Sequence, residues 1–225
     1  MSQPPRSPGS VGTIETGSPS AISDDAQAVL LHPANTLPVG SAGERASGFL
    51  GCLMLIATEA SLFGYLIFSY LYLAVQQTTH WPPEGLPRLG LSSVNTAILV
   101  SSSVFAWLCE RFVRRRRKRL AVASMAVAVV LGIVFVGIQL HEWHDHPYGM
   151  TSNLYGSLYF TITGFHLCHV LVGIVVLVLL GWWTALGYFD ERRHAALTIG
   201  SLYWHFVDVV WLFIFTTLYF TPYWF

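Results

Sequence analysis

Five stretches of this chain, roughly 48–74, 92–112, 120–140, 157–184 and 198–220, are each apolar over the ~20 residues that a helix needs to cross a bilayer. No other feature constrains the fold so tightly. In lipid a segment has no water to satisfy its backbone N–H and C=O groups, so each such stretch predicts a helix. Apolar residues make up 53% of the chain and charged ones only 11%, with a mean hydropathy of +0.53; a soluble domain carries about a quarter charged residues. The predicted fold is an all-α integral membrane protein, a five-transmembrane-helix bundle over 47–225. Residues 1–46 hold six of the eleven prolines, much Ser and Gly and no long apolar run, which predicts a disordered tail and not a secretory leader.

The charges orient the bundle. Twelve basic residues balance twelve acidic ones, but seven of the twelve lie between Arg111 and Arg119. Flanked by apolar stretches, that run is an anchor at the cytoplasmic face and not a nucleic-acid footprint. Placing it inside puts the N-terminal tail and the turn Asp190-Glu191-Arg192-Arg193-His194 inside as well, so eleven of the twelve basic residues are cytoplasmic and only Arg88 is outside. The N-terminus is expected in the cytoplasm and the C-terminus outside. Trp81, Tyr148, Tyr219, Tyr223 and Trp224 are expected to form an outer aromatic belt.

Against this apolar background the ionisable residues stand out. Glu59 lies near the middle of the first stretch, His166 and His169 near the middle of the fourth, and His205 and Asp208 within the fifth. Glu142 closes the third. A charged side chain in hydrocarbon costs several kcal/mol, so these groups should face protein or a partner and converge inside the bundle. At helical spacing Trp204, Asp208 and Trp211 share one stripe (i, i+4, i+7), with His205 beside them as a hydrogen-bond partner for Asp208. His166 and His169 are expected as neutral imidazoles bonded to carboxyls or lipid phosphate; haem ligation would need a facing histidine, for which His205 is the candidate. Glu59 is expected either as a neutral acid satisfied locally or as a proton- or lipid-linked carboxyl.

Other chemistry finds little support. The loop His141-Glu142-Trp143-His144-Asp145-His146 has spacings that could take up zinc adventitiously, without a second histidine box. Cys52, Cys109 and Cys168 match no disulfide or metal spacing and are expected as buried small hydrophobes. There is no nucleophile elbow, phosphate loop or internal repeat, and five crossings do not divide into inverted halves. Gly132/Gly137 and Gly164/Gly173 predict close helix approach. No catalytic, cofactor-binding or metal-ligating residue is assigned to the chain.

Four of these segments also resemble one family. Tyr203-Trp204-His205-Phe206-Val207-Asp208-Val209-Val210-Trp211-Leu212-Phe213 is similar to the last helix of subunit III of the haem-copper oxidases, and Thr163-Gly164-Phe165-His166-Leu167-Cys168-His169-Val170-Leu171-Val172-Gly173 to an earlier one. Thr58-Glu59-Ala60-Ser61-Leu62-Phe63 resembles the family's Ser-Glu-Ala-x-x-Phe, whose glutamate is its carbodiimide-reactive carboxyl. Gln139-Leu140-His141-Glu142-Trp143 resembles its Gln-x-x-Glu-aromatic ending. Two departures are visible: many members have seven spans where this chain has the last five, and Leu167 stands where many have Gly.

The resemblance implies a non-redox accessory subunit of a proton-pumping aerobic terminal oxidase, multi-pass in a bacterial inner (plasma) membrane, within a complex that oxidises cytochrome c and reduces oxygen to water. It implies catalytic subunit I, with the haems and copper, and subunit II as partners, phospholipid as a bound component, and support of proton uptake and of the catalytic site's durability. By position, Glu59, Glu142, His166, His169, His205 and Asp208 would be proton-linked or lipid-linked polar groups, and Trp204 and Trp211 packing or lipid-contacting aromatics. Subunit III of a quinol oxidase and the subunit-III-like protein of nitric oxide reduction fit the same motifs. A self-contained membrane haem protein, ligated by His166 or His169 and His205, is the reading from a different class.

Overall fold

The computed structural model describes residues 47–76, 81, 89–146, 148–189 and 194–223. The expected tail, most of the proline loop with Arg88, the Asp190–Arg193 part of the charged turn and Trp224 lie outside these. Five helices follow in order: α1 (Ser47–Gln76), α2 (Leu89–Arg114), α3 (Lys118–Asp145), α4 (Leu154–Leu186) and α5 (Ala195–Phe215). A π-helical turn (Thr216–Phe220) and a 3₁₀ turn (Thr221–Tyr223) continue α5. Each helix is long and apolar enough to cross a membrane, and no strand occurs among the described residues.

Local chemistry sets the helix ends. Asn153 caps α4, its Oδ1 accepting the Gly156 N–H at 2.6 Å, which satisfies one of the orphan donors of the first turn. At the other end Gly187 adopts φ 84°. Its N–H reaches Thr184 O and the Tyr188 N–H reaches Trp183 O, both at 3.1 Å, the paired bonds of a glycine-terminated helix. Between α2 and α3 only Arg115–Arg117 intervene, with Arg116 and Arg117 donating back to Val113 and Phe112 at 2.9 Å. A turn this short makes α2 and α3 antiparallel neighbours, and their packing is the most extensive in the bundle.

The core lies between α2, α3, α4 and α5, around Trp204, Trp211, Phe135 and Tyr159. α1 is peripheral, touching α5 and, more lightly, α4. Only 11% of its apolar window is buried, against 50% for the last helix, so most of α1 faces outward with Leu50, Met54, Tyr65 and Phe68 exposed.

Two expectations change here. The histidine-rich segment is not a loop: α3 runs through Asp145, so its histidines are distributed around a helix by the 100° rotation per residue. Nor do the described aromatics form a belt. Trp81 packs on Tyr155 at 5.2 Å and Tyr70 at 5.8 Å, Tyr148 on Tyr155 at 5.5 Å, and Tyr219 on Phe215 at 5.4 Å. Tyr148 and Tyr219 are buried. Several helix ends converge there, and the rings fill the space between them.

Candidate functional site

The polar interior is organised by α2. Ser92, Asn95, Thr96, Ser102 and Cys109 fall on one buried stripe of that helix, facing α5 and α3. Trp204 Nε1 donates to Ser102 Oγ and Trp211 Nε1 to Thr96 Oγ1, each at 3.0 Å. Thr198 donates to Glu110 Oε1 at 2.8 Å, and Arg114 pairs with the same oxygen at 2.6 Å. Small hydroxyl residues therefore receive the polar edges of the large α5 side chains, the common way of joining helices where lipid supplies no hydrophobic drive. Both tryptophans are fully buried, so they pack within the chain and neither contacts lipid.

Glycines shape the seat of Trp204. A Cβ at Gly173 would lie 2.7 Å from its Cε3, and one at Gly132 would lie 3.1 Å from its Cη2. Gly137 has nothing within 4 Å and Gly164 only an ordinary contact. One glycine of each expected pair thus admits an indole, in place of the backbone-to-backbone approach the spacing suggested.

Glu59 and His169 meet, although 110 residues separate them: His169 Nε2 lies 3.0 Å from Glu59 Oε2. The other nitrogen, Nδ1, is 2.7 Å from Phe165 O. A carbonyl only accepts, so Nδ1 carries a hydrogen and donates it. One further proton then lies between Nε2 and Oε2, held by the acid or by the imidazole. Both side chains are partly exposed, at 26% and 16%, because they form the wall of a groove of about 460 Å³ between α1, α4 and α5. Cys52 and Leu55 of α1, Cys168, Val172 and Val176 of α4, and Ile199 and Tyr203 of α5 complete it. Cys168 is exposed, unlike the other two cysteines, because it sits on the outward face of α4.

Asp208 and His205 are also brought together, but not directly. Ser103, on α2, donates to Asp208 Oδ2, and its Oγ lies 2.8 Å from His205 Nδ1. With its own hydrogen given to Asp208, Ser103 must accept from His205 Nδ1–H. The expected pair is thus a relay through a serine.

His166 departs from expectation. It is 1% exposed, and among the described residues neither ring nitrogen has a hydrogen-bond partner. Its ring lies against Trp211 at 4.9 Å and meets the edge of Phe135 at 6.1 Å. The i, i+3 step turns His169 toward the groove and His166 toward the aromatic core. Aromatic rings pack against His166, and both nitrogens of His169 are engaged, with Phe165 O and Glu59.

At the end of the bundle where α3 and the α5 continuation finish, Glu142 is buried. Its Oε1 accepts from Ser92 Oγ at 2.6 Å and from Tyr219 OH at 2.8 Å. Tyr219 OH lies 2.9 Å from Tyr159 OH, which lies 3.0 Å from His146 Nε2. His141 turns the other way and pairs with Asp145 at 3.6 Å. Among the described residues no group of three or more His, Cys, Asp or Glu side chains is placed to hold a metal ion.

Ser92, Thr96, Ser102, Ser103, Glu110, Tyr159 and Tyr219 escaped the sequence reading as site residues. The spacing of the polar residues in α2 could have found the first four, since 92, 95/96, 102/103 and 109/110 fall on one face at helical period.

The sequence profile of the family described as cytochrome c oxidase subunit III matches residues 43–224. The chain is 33% identical over 176 residues to the cytochrome c oxidase subunit 3 of Marchantia polymorpha, covering 75% of this chain and 66% of that one. To that of Thermostichus vulcanus it is 33% identical over 172 residues, covering 76% and 85%, and to that of Danio rerio 32% over 177, covering 75% and 67%. The matched stretch spans just under two thirds of the Marchantia chain.

Proposed function

Given that the chain belongs to the cytochrome c oxidase subunit III family and is a multi-pass membrane protein, we propose that it is the non-redox third subunit of a proton-pumping aerobic terminal oxidase in a bacterial inner membrane. Its partners are then catalytic subunit I, which carries the haems and copper and reduces oxygen to water, and subunit II. The relatives' names, cytochrome c oxidase subunit 3, favour cytochrome c over quinol as the electron donor of the complex. The arginine turn lies in the cytoplasm and the C-terminus outside, as the basic residues dictate.

The single observation that carries a functional role is the Glu59–His169 pair at 3.0 Å on the wall of an otherwise apolar groove. A carboxyl and an imidazole that share one proton can pass it between them, as acid and neutral imidazole or as carboxylate and imidazolium, without stranding an unpaired charge in lipid. The groove walls of Leu55, Val172, Val176 and Ile199 suit a phospholipid acyl chain, with the pair and Tyr203 available to polar groups. The exposed apolar face of α1 supplies a surface for the catalytic subunit. In this reading the chain shapes and buffers the complex and performs no redox step.

Copurification of the tagged chain in mild detergent, followed by absorption spectra of the complex and of the isolated chain, tests this. Haem in the complex and none in the isolated chain is the expected result. Haem retained by the isolated chain, or no haem-bearing partner, refutes it.

A further inference from the structure

We propose that Glu142 is a second proton-binding site of this protein, wired to the surface through Tyr219, Tyr159 and His146. It lies at the end of the bundle remote from the arginine turn, and it stands on geometry independent of the Glu59–His169 pair and of the assembly proposed above.

Four groups from three elements line up in unbroken hydrogen-bond contact. Glu142 belongs to the last turn of α3 and His146 caps that helix, Tyr159 belongs to α4, and Tyr219 to the π-helical turn that continues α5. The contacts are 2.8, 2.9 and 3.0 Å in sequence from Glu142 to His146. At one end the carboxyl is buried; at the other the imidazole is half-buried. The π-helical turn is what aims Tyr219: Thr217, Leu218 and Tyr219 are all buried in succession, and such widened turns are frequent at functional sites.

The wire has two consistent hydrogen-bond polarities. With Glu142 ionised, Tyr219 donates to it, Tyr159 donates to Tyr219, and His146 Nε2–H donates to Tyr159. When a proton arrives, each hydrogen moves one bond along: His146 Nε2 gives its proton to Tyr159, Tyr159 gives its own to Tyr219, and Tyr219 gives its own to Glu142 Oε1. Imidazolium and carboxylate become neutral imidazole and carboxylic acid. Three protons shift, none is created, and both tyrosines end neutral. Ser92 donates to Oε1 in either state, so the site is held while its charge changes. The hydrogen-bond donors to Glu142 Oε1 are hydroxyls, which cannot neutralise a carboxylate.

Among neighbouring titratable groups, Tyr148 packs on His146 at 4.8 Å. Tyr148 and Tyr155 pack on Tyr159 as rings, at 6.1 and 6.3 Å. His141, His144 and Asp145 on α3 are exposed, with His141 and Asp145 paired to each other.

Infrared hydrogen–deuterium exchange on the protein in its native membranes, or in the complex it purifies with, tests the proposal. Glu142→Gln should remove one carboxylic-acid C=O band and so identify it. Tyr159→Phe and Tyr219→Phe keep the rings but break the wire; each should retain the band and slow its exchange with D2O by about tenfold or more. Tyr155→Phe, which leaves the wire intact, should exchange at the wild-type rate. A wild-type rate in Tyr159→Phe and Tyr219→Phe overturns the wire, and a Glu142→Gln protein that loses no acid band at any pH the complex tolerates overturns the site.

Discussion

Gly173→Ala is the smallest change that tests whether Trp204 anchors the bundle. The added Cβ would lie 2.7 Å from Cε3 and 2.8 Å from Cζ3 of the indole. Carbon atoms in comfortable contact sit about 3.5 Å apart, so the overlap is roughly 0.8 Å. The ring cannot retreat: its Cη2 already borders Gly132 on α3, where a Cβ would meet it at 3.1 Å, and its Nε1 is tied to Ser102. Either α4 moves away from α5 or the indole tilts and releases Ser102. Overpacking of this kind costs about 1–3 kcal/mol, and a lost interhelical hydrogen bond in a membrane adds about 0.6 kcal/mol. Alanine returns up to about 1 kcal/mol through helix propensity. Gly137→Ala, with nothing within 4 Å, isolates that gain, so the difference between the two variants is the quantity to read. It should be about 2–3 kcal/mol in a denaturing-detergent titration followed by tryptophan fluorescence. Trp204→Phe should relieve the clash, giving a coupling of at least about 1 kcal/mol with Gly173→Ala. Equal stability of Gly173→Ala and Gly137→Ala would refute the placement of the indole.

Glu59 is the carboxyl that a hydrophobic carbodiimide should modify, because it lines an open groove while Glu142 and Asp208 are buried; peptide mapping should show the adduct there, and its persistence in Glu59→Gln would assign it to another residue. Ser103→Ala removes the bridge between His205 and Asp208 and should cost about 1–2 kcal/mol, whereas Ser101→Ala, exposed and bonded only to Ala97 O, should be close to neutral. Asp208→Asn keeps an acceptor for Ser103 and should be more stable than Asp208→Leu in the same titration, and parity would count against the bridge.

The bundle was legible in the sequence because its evidence is a bulk property. Twenty apolar residues in a row have one structural outcome in lipid, so all five helices were foreseen, and the described ones extend each stretch by a few residues at one or both ends. Shared depth suggested that Glu59, the two histidines of α4, His205 and Asp208 converge; Glu59 meets His169, while His205 and Asp208 meet at Ser103 instead. What depth could not supply was direction. His166 and His169 lie at similar depth, yet one faces an aromatic core and the other a groove. Serines were passed over because a hydroxyl in a membrane helix usually bonds its own backbone, as Ser101 does with Ala97 O and Ser102 with Leu99 O; polar spacing marks their face, and the neighbouring helix supplies the partners, Trp204 for Ser102 and Asp208 for Ser103. The glycine pairs misled for a similar reason, since spacing records that a Cβ is missing and not what occupies its place.

A common logic connects three carboxyls of the membrane-spanning helices. Glu59 reaches a histidine directly, Asp208 through one hydroxyl and Glu142 through two. Glu110 instead pairs with Arg114, at the end of the bundle where the basic residues gather. The difference is physical. An arginine partner fixes both charges permanently, which is acceptable near water but leaves a standing desolvation cost at depth. A histidine partner allows the pair to become neutral by moving one proton, so the carboxyl can be kept inside the membrane without a lasting charge, and each intervening hydroxyl extends the reach of that transfer. If this is the reason for the arrangement, replacing His169 with arginine should hold Glu59 as a permanent carboxylate and abolish its carbodiimide reactivity, which requires the protonated acid. A variant that still labels at Glu59 as the wild type does would show that the imidazole's ability to give up its proton is not what keeps that carboxyl reactive.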